Sequence, residues 1–315
     1  MKVKTINRRK FFADTALSAA GLMLGSNFIG CSTKGETSAL PLSDSSASDY
    51  NIMEEVMKFP KIDSHAHVYF SEDSPEYQID FADRLGIDKL VISRPMKPGS
   101  EGTPEEFRAC NDLILECVKK YPDRFIGQMT LNPTYKKESL EEIRRCTDQG
   151  MVGLKVYNHV KISDPLFYPI IEKFIDLNMI ILMHVGIGKS RITYDPGEPE
   201  NVSIPADFVE VSRRYPEAMF QFAHLAGGED WEDAVKALKH ASNVYVDVSG
   251  SNNDAFIIDF AIKYLGEDRI LFGCDNSFYQ GVGHMLSANL SEAQRRKIFF
   301  ENYNNILKKS GNHVG

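Results

Sequence analysis

From Lys61 to Asp275 the chain alternates eight short apolar runs with stretches of helical hydrophobic spacing, and no other feature narrows the fold as far. The runs lie near residues 61–68, 89–94, 125–132, 153–157, 180–186, 219–226, 244–249 and 270–275. Strands separated by helical segments predict repeated β-α units and a parallel sheet. Between them, 105–120 carries Phe107, Leu113, Ile114, Cys117 and Val118 at helical spacing and is stopped by Tyr121-Pro122. Segments 166–177, 206–214 and 231–240 repeat the pattern, and 291–309 reads as a closing helix with Ser291 as its N-cap. An open doubly wound sheet competes with this reading, but no glycine-rich phosphate loop follows the first strand. The expected fold is therefore α/β, a closed (β/α)8 TIM barrel.

The first 50 residues do not share the pattern. Lys2, Lys4, Arg8, Arg9 and Lys10 precede a mildly apolar stretch that reaches Gly30-Cys31. Asn7-Arg8-Arg9-Lys10-Phe11-Phe12 resembles a twin-arginine export signal, and Phe28-Ile29-Gly30-Cys31 resembles a lipoprotein cleavage box with Cys31 as the lipidated residue. Asp14, Thr15, Ser18, Ser26 and Asn27 interrupt the apolar stretch and make it a poor permanent membrane span. Ser, Thr, Gly and Asp dominate 32–50, the composition of a solvated tether. The expected organisation is a leader (1–31), a tether (32–50) and a barrel (51–315). The expected location is outside the cytoplasm, on the periplasmic side of the cell envelope, with membrane attachment through the lipid on Cys31.

About 265 residues follow the tether, close to the roughly 250 of a typical barrel. The net charge is -8, and the basic residues form no long stripe beyond the leader, so nucleic acid is not an expected partner. A small-molecule substrate is expected, and self-association stays open. Cys110, Cys117, Cys146 and Cys274 form no Cys-x-x-Cys, and their spacing selects no disulfide pairing.

The chemistry begins at Lys61-Ile62-Asp63-Ser64-His65-Ala66-His67-Val68. Strand alternation places Asp63, His65 and His67 on one face and Ser64 and Ala66 on the other. Two imidazoles on one side of a strand end suit a metal, although a bare His-x-His also fits two ordinary polar histidines. Later strand ends decide between these. His184 ends the fifth run, His224 the sixth and Asp275 the eighth. A barrel of this kind gathers the carboxyl ends of its strands around the active site, so these side chains converge on one rim.

His65-Ala66-His67, Gly153-Leu154-Lys155, His184-Val185-Gly186, Phe222-Ala223-His224-Leu225-Ala226-Gly227 and Leu271-Phe272-Gly273-Cys274-Asp275 together resemble the amidohydrolase superfamily. Within it the layout is similar to the amidohydrolase-related (family 2) branch over residues 60 to 308. The resemblance implies one divalent metal, most often zinc, held by His65, His67, His184 and Asp275. It also implies that His224 orients water or polarises a substrate oxygen while Asp275 moves the proton. Lys155 is either a substrate-carboxylate contact, a structural ammonium or, in a two-metal arrangement, a bridge. Arg94, at the end of the second strand, has the same choice between anion contact and solvent. Tyr157 and Arg191, the latter in the long 187–205 segment, are further candidate substrate contacts. Asp275-Asn276-Ser277 departs from the Asp-aromatic-Pro sequence common in the branch and leaves the substrate subgroup open. The leading expectation is hydrolysis of a small ester, lactone or amide by metal-activated water. Decarboxylation of a small unsaturated or aromatic acid is the runner-up, and a noncatalytic envelope binding protein is the alternative of a different class.

Overall fold

The apolar runs form parallel strands that neighbour one another in chain order from β1 to β8. The computed structural model describes residues 51–69, 74–97, 99–185, 201–227 and 231–315. The export signal, Cys31, the tether and Arg191 lie outside the described residues. The strands are β1 (Ile62–His67), β2 (Lys89–Ser93), β3 (Phe125–Met129), β4 (Gly153–Val156), β5 (Ile180–Met183), β6 (Met219–Phe222), β7 (Val244–Asp247) and β8 (Ile270–Leu271). Ser64 N donates to Phe272 O at 2.9 Å and Asp275 N to His65 O at 2.7 Å, which carries the ladder back to β1 and nearly closes the sheet. The fold is the expected (β/α)8 barrel.

Helices follow the strands: α1 (Ile52–Met57), α2 (Ser74–Arg84), α3 (Pro104–Lys120), α4 (Lys136–Thr147), α5 (Tyr168–Leu177), α6 (Pro205–Arg214), α7 (Trp231–Leu238), α8 (Ile257–Leu265) and α9 (Phe278–Ser287). Thr103 and Glu106 form a capping box at the start of α3, which satisfies two backbone donors that a helix end leaves unpaired. The expected closing helix is interrupted. Ser291 caps α10 (Glu292–Arg296) as read, a π turn spans Lys297–Glu301, and α11 (Asn302–Lys309) completes the chain's helices. Among the described residues, no helix is long and apolar enough to cross a membrane.

Two apolar clusters divide the interior. The larger lies mainly between the strands and the surrounding helices. The smaller plugs the amino-terminal mouth of the barrel, where Tyr303, Ile306 and Leu307 of α11 meet Ile62, Val91, Ile180, Met219 and Leu271. Each such side chain contributes roughly 1.5–3 kcal/mol by leaving water. With that mouth filled, the carboxyl end is the one free to hold a ligand. Cys110, Cys117, Cys146 and Cys274 are free, buried thiols.

Strand β1 departs from simple alternation. Its pairing with β2 shifts register between Asp63 and Ala66, as an extra residue does in a bulge. Ser64 and His65 consequently both turn toward Asp247: Ser64 Oγ accepts from Gln221 Nε2, which also donates to Asp247, while His65 Nδ1 lies 3.1 Å from Asp247 Oδ2. Asp63 does not join the histidines; its Oδ1 accepts from the backbone of His65 and Cys274, and burial pushes its pKa up to about 7.

The end of β7 leaves no room for a side chain at Gly250, where φ is +128° and an added Cβ would meet the Ala226 carbonyl carbon at 2.1 Å. Gly250→Ala is expected to destabilise the fold by about 3 kcal/mol, since backbone must move to admit it. An unchanged urea midpoint would contradict this packing.

Candidate metal-binding active site

The functional side chains stand just past the strand ends, where turns aim them inward. His224, Asp275 and Asn276 take left-handed φ values of 61°, 47° and 63°, a conformation that costs a non-glycine residue on the order of 1 kcal/mol. Hydrogen bonds hold these turns. Asp275 N donates to His65 O, and His224 N donates to Asp247 Oδ1 at 3.1 Å. Asn276 grips the backbone of His67 from both sides, accepting from its N at 2.8 Å and donating to its O at 3.0 Å. The Asn that departs from the branch pattern therefore fixes one of the histidines.

Asp275 is the centre of the cluster. Its Oδ1 lies 2.9 Å from His67 Nε2 and 3.6 Å from His65 Nε2, and its Oδ2 lies 3.7 Å from His224 Nδ1. His184 stands behind His224, with its Nδ1 2.9 Å from His224 Nε2. The expected ligands thus converge, with one difference in grouping. His65, His224 and Asp275 form the tight triad, with ligand atoms within 4.8 Å of one another, so His224 stands among the donors rather than beyond them.

The surrounding hydrogen bonds assign the ring tautomers. His65 Nδ1 faces Asp247 Oδ2, and His67 Nδ1 faces Ser93 Oγ at 3.0 Å and Ser93 O at 3.3 Å. For His65, whose Nε2 faces the Lys155 ammonium, this places hydrogen on Nδ1, while His67 has Nδ1 against Ser93 and Nε2 within hydrogen-bond distance of the Asp275 carboxylate. Ser249 Oγ donates to Asp247 at 2.5 Å and accepts from His224 Nδ1 at 3.0 Å. That leaves His224 Nε2 to accept from His184 Nδ1 and exposes the Nε2 lone pair of His184.

Charge follows from burial. Loss of water holds His67 at about 4 and His224 at about 3, and drives His184 well below its usual range. Burial works against the Asp275 carboxylate too, but the neighbouring imidazoles, His65 foremost, outweigh it and hold the group ionised. The nitrogen and oxygen donor set fits a divalent metal, and Asp247 and Ser93 supply the outer contacts that fix ligand tautomers.

Asp247, Ser249 and Ser93 were not singled out in the sequence. Asp247 ends its strand as Asp275 follows its own, and the rule that barrel chemistry gathers at strand ends was the signal available for it.

A cavity of about 690 Å³ opens above the cluster, lined by His67, His184 and Asp275 together with Tyr69, Arg94, Met96, Lys97, Cys110 and Tyr157. Arg94 and Tyr157 thus stand where substrate contacts were expected. The Arg94 guanidinium lies 5.1 Å from the Tyr69 ring, and Tyr157 OH lies 3.3 Å from His67 Nε2. Lys155 lies deeper than a rim contact: it is fully buried, with Nζ 2.8 Å from His65 Nε2, and burial lowers its pKa to about 8.

Residues 62–302 match the amidohydrolase family model. The chain belongs to the amidohydrolase family. It is 25% identical over 257 residues to the 2-amino-3-carboxymuconate-6-semialdehyde decarboxylase of Dictyostelium discoideum, a match covering 70% of each chain. It is 22% identical over 294 residues to the gamma-resorcylate decarboxylase of Rhodococcus jostii, covering 75% of this chain and 88% of that one. A dihydroxybenzoic acid decarboxylase from a Polaromonas species, solved with bound manganese and the inhibitor 2-nitroresorcinol, shares the fold. Its TM-score is 0.63 at 20% identity, over 79% of this chain and 97% of that one. A hydratase is matched as well: over 91 residues the chain is 28% identical to the 2-keto-4-carboxy-3-hexenedioate hydratase of a Sphingobium species, covering 25% of this chain and 27% of that one.

The depressed imidazoles give the metal-free protein a defined pH response. Between about 6.5 and 3 the unfolded chain holds protons that folded His67 and His224 refuse, so stability falls as pH drops through that window. The melting temperature of metal-stripped protein should decline from pH 6.5 to 4, with a shallower slope in His224→Asn. Equal slopes in the two proteins would contradict the assignment of His224 as neutral.

Proposed function

We propose that the chain is a divalent-metal-dependent decarboxylase of a small unsaturated or aromatic carboxylic acid. The observation that carries this reading is the convergence of the nitrogen and carboxylate donors of His65, His67, His184, His224 and Asp275 at a cavity lined by Tyr69, Tyr157, Met96, Arg94, Lys97 and Glu106. The expectation of ester, lactone or amide hydrolysis, placed first on motifs alone, yields to the runner-up because the two relatives matched over 70% and 75% of this chain are decarboxylases and the same donors serve either reaction.

His65, His67, His184 and Asp275 would hold the ion, with His224 close enough to join or to relay a proton. Bound there, the metal supplies Lewis acidity that polarises a substrate oxygen and stabilises negative charge developing on the substrate. Zinc and manganese both suit nitrogen and carboxylate donors, and manganese is the ion in the Polaromonas enzyme.

The chain's own groups account for the rest. Arg94 and Lys97 present positive charge to a carboxylate, and Tyr69, Tyr157 and Met96 offer flat apolar surface to a planar acid. Breaking the bond to the carboxyl carbon releases carbon dioxide and leaves an electron pair on the substrate carbon, which must receive a proton. The Asp275 side chain is about one-third exposed, at 34%, and faces both the cavity and His224 Nδ1. That placement suits the ionised carboxylate to take a proton from a substrate hydroxyl or from solvent and return it to that carbon, with His224 oriented by Ser249.

Metal-loaded protein should release carbon dioxide from members of a panel of hydroxybenzoic and unsaturated carboxylic acids, and Asp275→Asn should lose about 10³-fold in rate. Turnover of esters or lactones without carbon dioxide release would return the assignment to hydrolysis. Absence of turnover across both panels would favour a binding protein.

We carry the export reading with the proposal: Arg8-Arg9 as an export signal and Cys31 as a lipidated residue would hold the barrel on the periplasmic side. Cells fed a labelled fatty acid should label the wild-type chain but not Cys31→Ser; equal labelling would remove the anchor from the account.

A further inference from the structure

A fully buried ammonium shares the floor of the site with the proposed ligands. Lys155 projects from β4 with no exposed surface, and its Nζ reaches His65 Nε2 at 2.8 Å. Among the described residues this is its one hydrogen bond, although its charge also lies 5.1 Å from the Tyr157 ring. Taking an ammonium out of water is costly, and here the opposing charges of Asp275 and Asp247 offset part of that cost.

The position of the contact matters more than its strength. His65 Nδ1 carries the hydrogen given to Asp247, so Nε2 has one lone pair, and Lys155 occupies it. One lone pair serves one cation at a time. A metal on His65 Nε2 and the observed Lys155 contact exclude each other.

We propose that Lys155 competes with the metal for His65: the ammonium and the ion take the same Nε2 lone pair, so the ion binds by displacing Lys155. The inference rests on the metal-site reading above. It gives the buried lysine a role distinct from substrate contact or a bridge between two metals.

Lys155→Met keeps the length of the side chain and removes its charge. Calorimetric titration of metal-free proteins with zinc and with manganese is expected to show at least about tenfold tighter binding in Lys155→Met, since no internal cation must be displaced. The same variant, before metal is added, should melt below metal-free wild type. Equal or weaker metal affinity in folded Lys155→Met overturns the competition and leaves the metal site standing. No ion bound by either protein overturns both.

If Lys155→Met does not fold, ring-nitrogen NMR of wild type provides the test. The His65 Nε2 signal should report a hydrogen-bonded lone pair before zinc and a metal-bound one after it. A His65 signal unmoved by stoichiometric bound zinc overturns the proposal.

Discussion

The Asp275 carboxylate gathers the imidazoles of His65, His67 and His224, and much of the carboxyl end of the barrel is arranged to hold them there. Asp247 holds His65 Nδ1, Ser93 holds His67 Nδ1 and Ser249 holds His224 Nδ1. Those acceptors reach the rings because the β1 bulge turns His65 inward and because left-handed turns aim His224 and Asp275 across the mouth. Below it lies an apolar floor capped by Tyr303, Ile306 and Leu307, and Lys155 reaches His65 from β4.

Much of this was legible in the sequence. Eight apolar runs gave the strand order because buried parallel strands read as short apolar segments between helical ones. The strand-end histidines and Asp275 were readable because a barrel confines its chemistry to one rim. The orientation of Ser64 and Asp63 was not readable, since strict alternation was assumed and a bulge shifts it by one residue without any glycine or proline to announce it. Lys155 was placed too near the surface because sequence gives a strand position but not its depth below the mouth. The interruption of 291–309 likewise had no sequence marker, since the π turn keeps the helical hydrophobic pattern.

The choice between hydrolysis and decarboxylation lay beyond the ligand residues altogether. Metal-binding histidines and a carboxylate polarise an oxygen in either reaction, so the motif set alone carries no preference. What distinguishes the two is the cavity wall and the family relationship. Tyr69, Met96 and Tyr157 stand beside Arg94 in that wall, and two matched relatives are decarboxylases, which is the ground for the proposed reaction. Asn276, where the motif departs from its branch, clamps the backbone of His67.

The most direct test of the central claim is anomalous diffraction from crystals of the metal-loaded protein, collected at the absorption edge of the added ion. The account predicts one ion per barrel, bonded to Asp275 and to Nε2 of His65, His67 and His184, with the Lys155 ammonium withdrawn from His65. A second ion bridged through Lys155, or full loading at a place away from Asp275, would contradict it.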